Sequence, residues 1–325
     1  MEEVLVTGAS GFIGSWLTRY FSCVGYQVTC LVRDNSNLWR LEGVQDIKIV
    51  RSQPNEWNEN FAKLAGKHVI LSDWWGVESS FRNSPEQSKN VDRWIHCVEL
   101  ATKLGTETLV ALGSQAELGP VRGLIGENLQ DSPTSRYGQA KSESRIHAQD
   151  IVSGSDTRFI WARAFSVYGE LSPSTWFIPS IVETLLRGNE FKMTPGEQIW
   201  SYTHVFDFAR GVHAAITNSS IEGIVNIANP EKVLIKELAL QIAQLLNSTN
   251  LLNIGSVPYR SDQVMELMPS ITKLESANWE PQINILQGVH DFIDWFRGNE
   301  NTNIRNNLRD EIVVNLPTNP KRPRR

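Results

Sequence analysis

The 325-residue chain predicts a doubly wound α/β fold: a parallel sheet with helices on both faces, followed by a smaller C-terminal lobe. Three observations predict it. A strand–glycine turn–helix–strand unit fills the first 32 residues, apolar runs then alternate with helical stretches, and the pattern changes after about residue 170.

Residues 3–7, Glu-Val-Leu-Val-Thr, read as a short buried strand. A glycine-rich turn leads into residues 12–23, whose apolar positions recur at helical spacing, and residues 26–32 form the second strand. A βαβ unit of this kind crosses over right-handedly. Further apolar runs at 47–50, 68–72, 108–112 and 158–162 alternate with helical stretches near 85–104 and 137–151. That alternation implies strands buried on both faces of a parallel sheet. After residue 170 come helices near 176–187 and 205–217, a strand at 224–227, and helices near 234–246 and 285–297. The expected division is 1–170 for the sheet domain and 171–297 mainly for the smaller lobe, partly interleaved with the first. Residues 298–325 are expected as a disordered tail, Asn-rich and ending in Lys321-Arg322-Pro323-Arg324-Arg325.

With 41% hydrophobic and 21% charged residues the composition is that of a globular protein. A net charge of −5 argues against a general nucleic-acid surface. No apolar run approaches the roughly 20 residues that span a bilayer, and no leader-like segment precedes the first strand. Cys23, Cys30 and Cys97 lie in apolar surroundings without metal or redox spacing, and the six histidines show no metal pattern. Three buried thiols in a cytoplasmic protein, with no metal site, are the expectation.

The turn Thr7-Gly8-Ala9-Ser10-Gly11-Phe12-Ile13-Gly14 falls where a dinucleotide pyrophosphate binds in such a unit. Gly8 permits the tight turn, Gly11 lets the backbone approach phosphate, and Gly14 lets helix pack on strand. The helix N-terminus adds unpaired N–H groups. At the end of the second strand stand Arg33 and Asp34. Arg33 suits a 2′-phosphate and Asp34 the ribose hydroxyls, so NADP is preferred and NAD is the alternative.

Tyr137 and Lys141 stand four residues apart, on one face of a helix. An ammonium about 4 Å from the phenol, at an effective dielectric of ~20, stabilises phenolate by about 4 kcal/mol. Lys141 is therefore expected to keep Tyr137 acidic enough to exchange protons. Ser114, just after the apolar run 108–112, is expected at the mouth of the cleft, its hydroxyl holding the reacting oxygen. Trp74, Trp75, Trp176 and Trp200 suit the wall of a sugar or base pocket, though packing is the commoner role of tryptophan. Glu117 reads as a solvated loop carboxylate or as a group polarising a substrate hydroxyl.

The glycine loop, Asn90, Ser114 and the Tyr137/Lys141 pair together resemble the extended short-chain dehydrogenase/reductase family, of the NAD-dependent epimerase/dehydratase type. Arg163-Ala-Phe-Ser-Val-Tyr168-Gly169 resembles that family's Arg-x-x-Asn-x-Tyr-Gly stretch, and His204-Val-Phe-Asp207 its His-Val-Asp-Asp. Tyr259-Arg260-Ser-Asp262 is similar to its late arginine segment, which contacts a nucleotide diphosphate. The resemblance implies a Rossmann-type sheet, a bound NAD(P), Ser114, Tyr137 and Lys141 as catalytic residues, Tyr137 and Lys141 also as cofactor contacts, a nucleotide-sugar substrate and a homodimer. Gln115, Ser166, Trp176, Trp200 and Arg260 are the implied substrate contacts. The implied reaction is 4-epimerisation or 4-keto reduction by hydride transfer. The alternatives are reduction of a non-nucleotide ketone or aldehyde, and a catalytically silent dinucleotide sensor. Departures from the pattern bear on this. Gln115 and Ala116 replace the acidic pair that dehydratases use, Ser166 stands for an Asn and Trp200 for an Arg, and Leu118 for a Tyr. The third strand offers Arg51-Ser52-Gln53 where an Asp usually meets adenine.

Overall fold

Seven parallel strands form the central sheet of the computed structural model, which describes residues 1–260, 263–298, 304–305, 313–314 and 316–317. In chain order they are β1 (Glu3–Thr7), β2 (Gln27–Arg33), β3 (Ile47–Ser52), β4 (His68–Leu71), β5 (Thr108–Ser114), β6 (Arg158–Ala164) and β7 (Gly223–Ile227). In space they run β7-β6-β5-β4-β1-β2-β3. The chain lays β2 and β3 to one side of β1 and returns to β4 on the other. A reversal of this kind opens a crevice at the carboxyl ends of β1 and β4. Register brings Thr7 beside Leu71, and Ser114 beside Ala164, so the loops leaving these strands share one edge.

Every residue of β4 and β5 is buried, which explains why they read as continuous apolar runs rather than as an alternation. Helices cover both faces: α1 (Phe12–Cys23), α2 (Trp57–Leu64), α3 (Gln87–Lys103), α4 (Arg136–Val152), α5 (Phe177–Leu186), α6 (Val205–Thr217), α7 (Ile235–Leu245) and α8 (Ile285–Arg297). The stripe Phe12, Trp16, Leu17, Tyr20 and Phe21 buries one side of α1, and Tyr20 meets Phe206 of α6 edge-on at 5.7 Å. Glycine permits two further close approaches. An added Cβ at Gly113 would lie 2.2 Å from Trp161 Nε1, and at Gly138 2.2 Å from the Ala116 carbonyl oxygen. Gly113 thus lets the β6 indole cross β5, and Gly138 lets α4 press on the turn after Ser114.

α6 and β7, although they follow residue 170, belong to the layers of the main sheet. After residue 170 the chain also forms α5, α7 and pairs of very short strands outside the main sheet, Phe191–Met193 with Leu252–Ile254 and Ile199–Trp200 with Val233–Leu234. Strands of two or three residues carry no legible period, and these, like α2, are absent from the sequence reading. Among the described residues of the expected tail, Ile304–Arg305 pairs with Val313–Val314, and the Pro317 carbonyl accepts from Trp295 Nε1 at 2.9 Å. The basic run 321–325 and Asp262 lie outside the described residues.

One expectation about the cysteines is corrected. Cys30 and Cys97 are buried, which pushes each thiol up to about 12, but Cys23 ends α1 beyond its apolar stripe and is exposed. Among the described residues no helix is long and apolar enough to cross a membrane.

The Gly113 contact generates a stability test. Gly113→Ala is expected to cost on the order of 2–3 kcal/mol by overpacking, measured by urea unfolding. Gly126→Ala, where an added Cβ meets nothing within 4 Å, should stay within about 0.5 kcal/mol of the parent. Equal losses would refute the packing argument.

Candidate active site

The glycine turn sits in the crevice between β1 and β4. Gly8 has φ +68, and an added Cβ would stand 2.7 Å from the Asp73 backbone. At Gly14 it would stand 2.3 Å from the Gly8 carbonyl oxygen. Gly11 is the N-cap of α1 and offers no capping side chain, so the first N–H groups of α1, at Phe12 and Ile13, open onto the turn. Ser10 is half-buried beside them. Asp73, missed in the sequence, ties the crevice together. Its carboxylate accepts from Thr7 Oγ1 and from Arg93 Nε at 2.8 Å, and its carbonyl from Trp94 Nε1 at 2.7 Å. A cradle in which two glycines admit no Cβ, capped by a bare helix N-terminus, fits a dinucleotide pyrophosphate. The loop Gly8–Gly14 would hold it.

At the end of β2, Arg33 and Asp34 are both exposed. The Asp34 carboxylate is already engaged, accepting from Gln53 Nε2 at 2.5 Å, while Arg51 donates to the Asp34 carbonyl.

Ser114 closes β5 and is buried, and its Oγ accepts from Ala116 N at 3.2 Å. Tyr137 lies in the first turn of α4, where Ser135 Oγ accepts from Gly138 N at 3.1 Å. Burial raises the phenol above its ordinary range, while the Ser114 side chain and the Arg82 guanidinium lower it and Glu117 raises it. Arg82 Cζ stands 5.2 Å from the centre of the Tyr137 ring.

The contacts of Lys141 lie on the side of the sheet and the indoles. Its ammonium donates to the Leu112 carbonyl at 2.7 Å and lies 3.7 Å from the centre of the Trp74 ring and 4.0 Å from that of Trp94. The cation that stands over the Tyr137 ring is Arg82. Spacing of four residues puts phenol and ammonium on one helix face, but packing decides what each meets. Desolvation, chiefly, pushes the Lys141 ammonium well below the ordinary lysine range.

Glu117 is neither solvated nor directed at a cleft. Fully buried, it accepts from Ser114 N at 2.6 Å, from Trp161 Nε1 at 2.9 Å and from Arg163 at 3.2 Å. Burial raises its carboxyl and Arg163 opposes that rise. Arg163, also fully buried, bridges on to Asp131 at 3.3 Å.

Of the expected substrate contacts, Gln115 is half-buried directly after Ser114, and Trp176 meets Phe12 of the glycine loop edge-on at 5.5 Å. Ser166, at φ +35, accepts from Trp200 Nε1 at 2.6 Å, so these two residues satisfy each other. Arg260 is exposed, next to Tyr259, whose hydroxyl accepts from Glu197 N at 2.9 Å. Asn90 accepts from Trp75 N at 3.1 Å and donates to its carbonyl at 3.0 Å, a structural brace for the loop after β4. His204 is buried, its Nδ1 accepting from Phe206 N and its Nε2 3.5 Å from Glu170. Among the described residues no cluster of three or more metal-ligating side chains occurs.

Comparison with known proteins gives consistent findings. The profile of the NAD dependent epimerase/dehydratase family matches residues 4–228. A UDP-N-acetyl-alpha-D-glucosaminuronate decarboxylase of Bacillus cytotoxicus is 24% identical over 92% of this chain and 99% of its own. Among solved structures, MoeE5 in complex with UDP-glucuronic acid and NAD is 24% identical, with a TM-score of 0.81 over 91% of this chain and 99% of that one. The UDP-N-acetylglucosamine 4-epimerase of Methanobrevibacter ruminantium is 18% identical, with a TM-score of 0.82 and the same coverage. Likeness at these identities establishes the fold.

The surroundings of Tyr137 generate a titration test. In protein carrying ¹³Cζ-tyrosine, the Tyr137 signal should titrate above free tyrosine. Removing a group that favours phenolate raises the midpoint, so Arg82→Gln and Ser114→Ala should each move it further up. A downward shift in either variant would contradict the assignment.

Proposed function

The chain belongs to the NAD dependent epimerase/dehydratase family, and on that premise we propose that it is an NAD(P)-dependent oxidoreductase or epimerase of a nucleotide-activated sugar. The observation that carries the proposal is the buried Ser114–Tyr137 hydroxyl pair, at the same sheet edge as the Gly8–Gly14 cradle. Bound nicotinamide supplies the hydride acceptor or donor. Tyr137 takes the proton from a sugar hydroxyl during oxidation and returns it to the ketone oxygen during reduction. Ser114 holds that oxygen and lowers the cost of phenolate. Phe12 and Trp176 form one wall of the cleft. An epimerase returns the hydride to the opposite face with the cofactor retained, whereas a 4-keto reductase releases oxidised cofactor each turnover.

The turn after Ser114 opposes dehydration. Gln115 and Ala116 carry no acid, and the Glu117 carboxylate is consumed by Arg163, Trp161 and Ser114. Arg33 supports NADP over NAD, because the neighbouring Asp34 is occupied by Gln53.

A second reading, reduction of a ketone or aldehyde without a nucleotide, is favoured by one contact. The Ser166–Trp200 hydrogen bond occupies both residues at the positions expected to meet a substrate diphosphate. Thermal shifts separate the two. Stabilisation by UDP, or by another nucleoside diphosphate, supports the first, and no response to any of them supports the second. UDP-glucuronic acid, the ligand of MoeE5, is the natural first probe.

Tyr137→Phe is expected to lower turnover by about 10²–10⁴-fold with dinucleotide affinity unchanged. Full activity would overturn the proton-transfer role. Arg33→Ala should weaken NADP binding by about tenfold and leave NAD binding as it was, measured by calorimetry. Equal losses for both dinucleotides would remove the case for NADP.

A further inference from the structure

Lys141 is enclosed by three indoles. Its ammonium lies 3.7 Å from the ring centre of Trp74, 4.0 Å from that of Trp94 and 5.9 Å from that of Trp161, within the range of cation–π attraction. The cage is built deliberately by the fold. Trp161 can cross β5 only because residue 113 is glycine, and its Nε1 is fixed by the buried Glu117 carboxylate. Trp94 is anchored through Nε1 to the Asp73 carbonyl. Trp74 donates from Nε1 to Gln87 Oε1 at 2.8 Å, and Gln87 is itself held by the carbonyls of Gly76 and Phe81.

The three walls differ in exposure. Trp94, Trp161 and Lys141 are all at most 2% exposed, whereas Trp74 is only half-buried. Trp74 also adjoins the glycine cradle, since residue 73 is the backbone against which Gly8 packs, and it meets the Tyr137 ring edge-on at 6.1 Å. It therefore stands between the ammonium and the cleft.

We infer that Trp74 is a positioning residue that holds Lys141 closed off from the cleft, so that a bound dinucleotide gains the ammonium as a hydrogen-bond donor only after the Trp74 ring moves aside. The inference rests on the dinucleotide site proposed above. Its consequence is competition. The indole and the bound dinucleotide share one cation, and affinity is reduced by whatever the ring contributes to the closed arrangement. An ion caught between two aromatic rings is also shielded by their ring currents, which gives the arrangement a spectroscopic signature.

The test is a double-mutant cycle on dinucleotide affinity, with NMR of protein carrying ¹³C-lysine. Trp74→Leu should tighten binding several-fold, Trp74→Phe should do so less, and neither gain should appear in a Lys141→Met background. In the free parent protein the Lys141 Cε–H signal should lie upfield of the other lysines. It should return downfield both on adding dinucleotide and in Trp74→Leu. Parent protein that binds dinucleotide while Trp74→Leu binds equally or more weakly overturns the inference and leaves the proposed function standing. A gain that persists without Lys141 overturns it too. Failure of the parent and of Trp74→Leu alike to bind either NAD or NADP overturns both the inference and the function on which it rests.

Discussion

A carboxylate sealed at the end of β5 organises the edge of the sheet on which the candidate site is built. Removing Glu117 from water costs several kcal/mol, and that cost is tolerable only because each oxygen finds donors. Ser114 N, the Trp161 indole and the Arg163 guanidinium supply them. The same bonds have structural effects in three directions. The bond to Ser114 N, with the reciprocal bond from Ala116 N to Ser114 Oγ, closes a capping box that fixes the turn carrying the Ser114 hydroxyl. The bond to Trp161 aims an indole across Gly113 towards Lys141. The bond to Arg163 continues through Asp131 to Arg145 and Ser142 on α4. The serine, the lysine's surroundings and the outer face of α4 thus share one buried anchor.

Much of this was legible in the chain. The glycine turn announces itself because backbone geometry at Gly8 and Gly14 forbids any other residue, and such constraints are local. The central strands β4 and β5 read correctly because burial on both faces leaves largely uninterrupted apolar runs. The placement of Ser114 and Tyr137 on one edge follows from topology alone. Glu117 was misread for a physical reason. Its partners Trp161 and Arg163 lie 44 and 46 residues away, and a lone acid three residues beyond a strand looks like an ordinary surface carboxylate. The signal that pointed to it was the polar Arg163 inside the buried strand β6, which needs a buried acid as partner. The surroundings of Lys141 were not legible, because helical spacing specifies a face and says nothing about three tryptophans arriving from the loop after β4, α3 and β6.

Aromatic bulk at this edge also explains where glycine is required. A tryptophan indole that spans a strand leaves no volume for a side chain beneath it, which is the situation of Gly113. Helix α4 meets the same limit at Gly138, where the backbone of the turn after Ser114 lies too close for a Cβ. The close apposition of α4 to the turn after β5 brings the buried Tyr137 and Ser114 side chains together, so backbone sterics at Gly138 set how near the two hydroxyls lie.

The placement of Tyr137 depends further on the loop after β4. A helix begins with N–H groups that have no intrahelical acceptor. In α4 these are met from outside, Arg136 N by Asn83 Oδ1 at 3.1 Å and Tyr137 N by the Arg82 carbonyl at 2.8 Å. The residue whose carbonyl holds the Tyr137 backbone is therefore the one whose guanidinium lowers the Tyr137 phenol. Position and acidity are coupled through Arg82, and the loop is itself pinned by Gln87, whose amide donates to Phe81 and Gly76 and accepts from Trp74. Gln87 thus joins the Trp74 indole to the loop that seats the phenol. The two cations at this site are held separately, Arg82 by the Val77 carbonyl at 3.1 Å and Lys141 by the Leu112 carbonyl at 2.7 Å and the surrounding indoles.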